Sequence, residues 1–104
     1  MRVVGGSARS LRLRCPEGLR IRPTTDMMRE TLFNSLGPHV ADAVVCDLYA
    51  GCGGVGIEAA SRGAAKVVFV EMQRPCREAI EANLESTRLG ETAVVEGGEL
   101  PSAW

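Results

Sequence analysis

The chain has 104 residues, room for one small domain, with 45% hydrophobic and 24% charged residues, the balance of an ordinary soluble globular protein. No apolar run approaches the roughly 18 residues needed to cross a bilayer. The start, Met1-Arg2-Val3-Val4-Gly5-Gly6, has no apolar h-region, so neither membrane association nor secretion is expected and the cytoplasm is the expected compartment. The net charge of −1 conceals a split. Residues 1–22 hold six arginines (Arg2, Arg9, Arg12, Arg14, Arg20, Arg22) against Glu17 alone, net +5, and residues 23–104 carry net −6. A basic arm on an acidic body suits a polyanionic partner; it equally suits a solvated hairpin whose arginines cluster.

In chain order, Leu11 and Leu13 alternate with Arg12 and Arg14, and Leu19 and Ile21 with Arg20 and Arg22. This is the period of short strands with one exposed face. With a turn at Pro16-Glu17-Gly18, the segment predicts a basic β-hairpin. Thr24-Thr25-Asp26 supplies helix caps, Met28, Leu32, Phe33 and Leu36 form a helical stripe, and Gly37-Pro38 ends it. Three strand-like runs follow: Ala43–Leu48, Lys66–Glu71 and Thr92–Glu96. A helix from Val55 to Arg62, closed by Gly63, separates the first two. A helix starting near Pro75 precedes the third; it presents Cys76, Ala79, Ile80, Asn83 and Leu84 on one side and ends at Gly90. Alternation of this kind builds a parallel sheet with right-handed crossovers.

Cys15, Cys46, Cys52 and Cys76 lie 31, 6 and 24 residues apart, with one His in the chain. That spacing offers no metal site and predicts no disulfide framework. Cys46 reads as a small strand hydrophobe and Cys52 as a small residue in a glycine loop.

Gly51-Cys52-Gly53-Gly54-Val55-Gly56 fits G-x-G-x-x-G between a strand and a helix. In that context the glycines permit a tight turn, a close ligand and close helix–strand packing. Glu71 ends the next strand twenty residues after Gly51, where a carboxylate accepts hydrogen bonds from ribose hydroxyls. Asp47 stands four residues before Gly51 at the end of the first strand, facing the same crevice. A dinucleotide would bring a pyrophosphate to the helix start, where a second anion is unwelcome. S-adenosylmethionine carries an ammonium and a sulfonium instead, which a carboxylate attracts. Asp47 therefore favours the methyl donor as cofactor.

The runs Asp47-Leu48-Tyr49-Ala50-Gly51-Cys52-Gly53, Gly56-Ile57-Glu58-Ala59, Ser61-Arg62-Gly63-Ala64 and Val68-Phe69-Val70-Glu71 carry a resemblance to one methyltransferase family. So, more narrowly, do Arg22-Pro23-Thr24-Thr25-Asp26, Arg29-Glu30 and Leu32-Phe33-Asn34. Together they resemble the bacterial small-subunit (16S) rRNA guanine-N2 methyltransferases, over nearly the whole chain. The resemblance implies an α/β, Rossmann-like S-adenosylmethionine-dependent methyltransferase fold, here partial with three parallel strands and an N-terminal basic β-hairpin. Residues 1–22 would form an RNA-contacting arm and residues 23–104 the partial methyltransferase domain. Asp47, Gly51, Gly53 and Glu71 would line the cofactor crevice, with rRNA as partner through the N-terminal arginines. Arg29 and Glu30 read either as functional residues or as an exposed pair at a helix start.

Three departures stand out. The arm reads Ser7-Ala8-Arg9-Ser10-Leu11 where the family has a Gly-Arg pair. Gly98 followed by Glu99 replaces an Asp expected to meet the adenine. The family's Asn/Asp-Pro-Pro-aromatic motif, which would hold the exocyclic amine of a flipped base, has no counterpart: Pro101 is the last proline, and the residue directly before it, Leu100, is neither acid nor amide. The expectation is a methyltransferase cut short before its catalytic motif, with no catalytic residue of its own and an exposed first-strand edge open to association. Two other readings compete: a non-catalytic S-adenosylmethionine- and RNA-binding module, and a fragment of a nucleotide-cofactor oxidoreductase.

Overall fold

The computed structural model describes residues 1–16, 25–48 and 50–97. After the N-terminal arm come helix α1 (Asp26–Leu36), a 3-10 turn (Gly37–Val40) and strand β1 (Val44–Leu48). Helix α2 (Gly54–Ser61), strand β2 (Lys66–Val70) and helix α3 (Arg74–Thr87) follow, then a second 3-10 turn (Gly90–Thr92) and strand β3 (Ala93–Glu96). The strands form one parallel sheet in the order β1-β2-β3. This is the parallel α/β sheet expected from strand–helix alternation, in the Rossmann-like arrangement that the family resemblance implies.

The register pairs Val45 with Val67 and Asp47 with Phe69, and Phe69 in turn with Val95. These residues share one face of the sheet, since side chains alternate along a strand. Ile57 of α2 and Ile80 of α3 converge with Phe69 beside Gly53, so both helices cover that face. Phe69, Ile57, Ile80 and Val67 are fully buried there. The opposite face stays open at β1, where Val44 is 69% exposed and Cys46 is also exposed. As expected, β1 lies at an edge of the sheet.

Helix α2 sits unusually close to β2. A Cβ placed on Gly56 would lie 2.3 Å from the Phe69 ring, so the helix backbone rests directly on that ring. Only a residue without a side chain permits this approach.

Helix α1 begins as its sequence dictates, with the Thr25 hydroxyl accepting from the Met28 N–H at 3.1 Å. Its buried face is not the expected stripe. Phe33 is buried, but Met28, Leu32 and Leu36 are exposed, and the second residue turned inward is Arg29. Charge pairing overrides the apolar periodicity: Arg29 reaches Glu58 of α2, and the Arg62 guanidinium lies over the Phe33 ring, 5.2 Å from its centroid. Helix α3 also departs from expectation. It stops at Thr87, with Arg88 in the left-handed conformation (φ 60°), and Gly90 instead opens the following 3-10 turn.

Residues 1–3 pair antiparallel with residues 11–13: the Val3 N–H donates to the Leu11 carbonyl at 3.0 Å and the Leu13 N–H to the Met1 carbonyl at 2.9 Å. The expected second limb, Leu19 and Ile21 after a turn at Glu17-Gly18, lies outside the described residues. Val3, Ala8 and Leu13 enter the main core.

Cys15 and Cys52 form a disulfide, with Cα atoms 5.1 Å apart and a separation of 37 positions in sequence. This corrects the expectation of no disulfide. Ligand spacing bears on metal sites, whereas a disulfide asks only that two Cβ atoms meet in space. Asn83 of α3 brings them together. Its Oδ1 accepts from the Arg14 N–H at 2.7 Å, and its Nδ2 donates to the Arg14 and Cys52 carbonyls at 2.8 and 3.1 Å.

Candidate cofactor crevice

The four expected cofactor residues come together at the carboxyl ends of β1 and β2, where open α/β sheets bind ligands. Asp47 is the penultimate residue of β1, and the loop from Ala50 to Gly53 carries the chain from β1 to α2. The Ala50 N–H donates to the Val70 carbonyl at 3.0 Å and the Gly53 N–H to the Ala50 carbonyl at 2.9 Å, closing a tight turn over the strand ends. Gly51 and Gly53 both hold positive φ (59° and 86°), a backbone shape that side chains disfavour.

Glu71 follows β2 and is buried. Its Oε1 accepts from the Gly51 N–H at 2.7 Å and its Oε2 from the Gln73 N–H at 2.8 Å. Each oxygen keeps further acceptor capacity for a ligand hydroxyl. Arg77 of α3 steadies this corner from behind, donating through Nη1 to the Glu71 and Met72 carbonyls at 3.1 and 2.6 Å.

Asp47 Oδ2 accepts from the Gly56 N–H at 3.0 Å, near the start of α2. Burial pushes its carboxyl from the ordinary 3.8 up to about 6; the Gly56 N–H partly opposes the shift, and the negative charge of Glu71 adds to it. Two carboxylates thus share a crevice in which one is poorly compensated. A cation placed there relieves the repulsion, and a phosphate would aggravate it. Among the described residues no cluster of three or more His, Cys, Asp or Glu could hold a metal ion.

Two features escaped the sequence reading. Met72, next to Glu71 in sequence, is a large apolar residue left 56% exposed. Glu58 is fully buried in α2 and is the hub of a charged seam. Its Oε1 accepts from the Val4 N–H at 2.9 Å and from Arg29 Nε at 3.4 Å; its Oε2 accepts from the Gly5 N–H and from Arg62 Nε, both at 2.9 Å. Arg29 further bonds Asp26 and the Arg2 carbonyl. Arg29 is 0% exposed, so it is no surface pair with Glu30, which is exposed. The signal for Glu58 was present in Gly-Val-Gly-Ile-Glu-Ala-Ala-Ser, one acid in an otherwise uncharged helix. A charge in such a place must be paired.

The family described as "Conserved hypothetical protein 95" matches residues 1–102. The chain belongs to this family. The "Ribosomal RNA small subunit methyltransferase D" of Escherichia coli K12 is 40% identical to it over 100 residues, which make up 96% of the chain and 50% of that relative. A solved structure of a hypothetical protein from Thermus thermophilus superposes with a TM-score of 0.83 at 31% identity, covering 98% of the chain and 57% of the other. The C-terminal domain of precorrin-6Y C5,15-methyltransferase from Rhodobacter capsulatus shares the fold, with a TM-score of 0.72 at 21% identity over 86% of the chain and 45% of that domain. This family member spans about half the length of the curated relatives it matches. Among the described residues no helix is long and apolar enough to cross a membrane.

Proposed function

We propose that this chain forms the cofactor side of a cytoplasmic S-adenosylmethionine-dependent methyltransferase that modifies the N2 of a guanine in small-subunit rRNA. The observation that carries the reading is the pair of carboxylates, Asp47 and Glu71, flanking a glycine loop. The kinship with an rRNA small subunit methyltransferase supports the substrate class.

The residues suit the methyl donor. Glu71 accepts from ribose hydroxyls while its bond to Gly51 holds the loop in shape. Gly51 and Gly53 let the ligand approach the backbone closely. Asp47 faces the cationic methionine portion, whose charge keeps its carboxyl ionised. Met72 provides apolar surface for the base beside the ribose. Bound there, S-adenosylmethionine supplies an electrophilic methyl group on its sulfonium. The arginines of residues 1–22 contact rRNA phosphates, fixing orientation without reading sequence.

Calorimetry against S-adenosylhomocysteine and NAD tests the cofactor assignment. The chain should bind the former and not the latter, and Glu71→Ala should weaken binding by about 1.5–3 kcal/mol, the scale of a hydrogen bond to a charged group. Preference for NAD would move the chain to the oxidoreductases. Equal affinities of wild type and variant would remove Glu71 from the site.

A further inference from the structure

The disulfide joins two regions 37 positions apart in sequence that Asn83 already holds side by side. Cys15 lies near the end of the described part of the arginine-bearing arm, and Cys52 lies between Gly51 and Gly53 in the loop that faces the crevice. We propose that Cys15 and Cys52 form a reversible redox latch that couples the arm to the glycine loop, and that closing the latch tightens the loop's hold on its ligand. The ligand part of this inference rests on the loop being the cofactor cradle.

Three observations point to reversibility. Asn83, itself buried, binds Arg14 through both its amide atoms and also holds the Cys52 carbonyl. These bonds do not need the sulfur–sulfur bond, so the two thiols stay opposed when it opens. Cys15 is half-buried while Cys52 is buried, so exchange has one entrance, at Cys15. The other cysteines stand elsewhere: Cys46 is exposed on β1 and Cys76 is buried in α3.

The chemistry is thiol–disulfide exchange with a low-molecular-weight disulfide as oxidant. The Cys15 thiolate attacks one sulfur of that disulfide and expels a thiolate, leaving a mixed disulfide on Cys15. The Cys52 thiolate then attacks the Cys15 sulfur and expels the second thiolate. The two protons lost by the cysteines end on the two released small thiols, and the small disulfide is reduced by two electrons. The reverse sequence, begun by an external thiol at Cys15, reopens the latch.

The effect on the loop follows from its backbone. Glycines on either side of residue 52 hold positive φ yet have the widest choice of other conformations. Asn83 holds the Cys52 carbonyl in either state; the sulfur–sulfur bond adds a second tie at the same residue and narrows the remaining alternatives before the ligand arrives, so less ordering is left for binding to offset.

The test compares the full chain in dithiothreitol and in oxidised glutathione. Peptide mapping by mass spectrometry should find Cys15 joined to Cys52 in the second and free in the first. Hydrogen exchange at the Gly51 and Gly53 amides should slow about tenfold on oxidation, and S-adenosylhomocysteine should bind about fivefold more tightly. Both differences should vanish in Cys15→Ser, which leaves the loop intact. Failure of the pair to close, unchanged loop exchange, equal affinity in the two states, or the same redox response in Cys15→Ser each overturns the proposal. If loop exchange responds to redox while S-adenosylhomocysteine binds in neither state, the latch stands and the cofactor reading fails.

Discussion

Glu58, at the seam between the arm and α2, and Asp47, at the crevice beside the buried Glu71, are met by the fold in different ways. At the seam, Glu58 is fully enclosed and meets two backbone N–H groups and two guanidinium groups, so its charge is matched within the chain. At the crevice, Asp47 has a single backbone donor among the described residues, and its carboxyl is pushed up to about 6, chiefly by burial, with Glu71 adding to the shift. Both are withdrawn from water, Glu58 fully and Asp47 in part; compensation is what differs. A charge that serves the fold is neutralised by the fold, and a charge kept short of partners stays available to a ligand.

Breaking the seam gives the largest expected effect. Glu58→Ala leaves Arg29 buried beside an absent anion and frees two N–H groups of the arm, so stability should fall by about 3–5 kcal/mol. Urea denaturation measures the loss, and a change under about 1 kcal/mol would show that the seam carries little of the fold.

The crevice should respond in the opposite sense. The folded-state value of Asp47 lies above its ordinary 3.8, so its protonated form favours folding. That contribution is complete below pH about 4 and is lost as the pH rises through about 6. Cofactor affinity runs the other way and should rise over the same interval, because the ionised carboxylate attracts the cationic ligand. Asp47→Asn should abolish this rise while increasing stability at pH 7 by about 0.5–2 kcal/mol. Calorimetry at pH 5 and 7 with parallel denaturation curves checks both. A variant that loses stability along with affinity would place Asp47 with Glu58 as a structural group.

The smallest and most local expectation concerns what the seam presents. With the arm anchored through Val4 and Gly5, the arginines Arg9, Arg12, Arg14 and Arg20 should bind RNA through phosphates. Replacing all four by Ala should flatten the log–log salt dependence of RNA affinity by about 0.7–0.9 for each phosphate no longer neutralised. An unchanged slope would make the arm a solvated hairpin held for stability alone.

The crevice was legible because its determinants are short in range. An apolar strand ending in an acid, a run of glycines and a second strand ending in an acid lie within twenty-five residues of one another, from Asp47 to Glu71. Their backbone roles follow from local geometry. The seam depends on Arg29 meeting Glu58, 29 residues on, and on an arm that returns to α2 from the start of the chain. No local pattern encodes such a meeting, and the apolar stripe of α1 even pointed to Met28, Leu32 and Leu36 as the inner face. The disulfide was hidden for a related reason: the arrangement depends on Asn83, which read simply as one member of an amphipathic face.

Gly56 has two neighbours at once. Its missing side chain lets α2 rest on the Phe69 ring, and its N–H is the donor that holds Asp47. The spacing between helix and sheet is therefore also a gauge for the crevice. An added methyl group would prise the layers apart and, in the same movement, withdraw the donor from the carboxylate. Packing at this point cannot change without moving the Asp47 donor, so the spacing of the layers and the width of the crevice both depend on a single atom's absence.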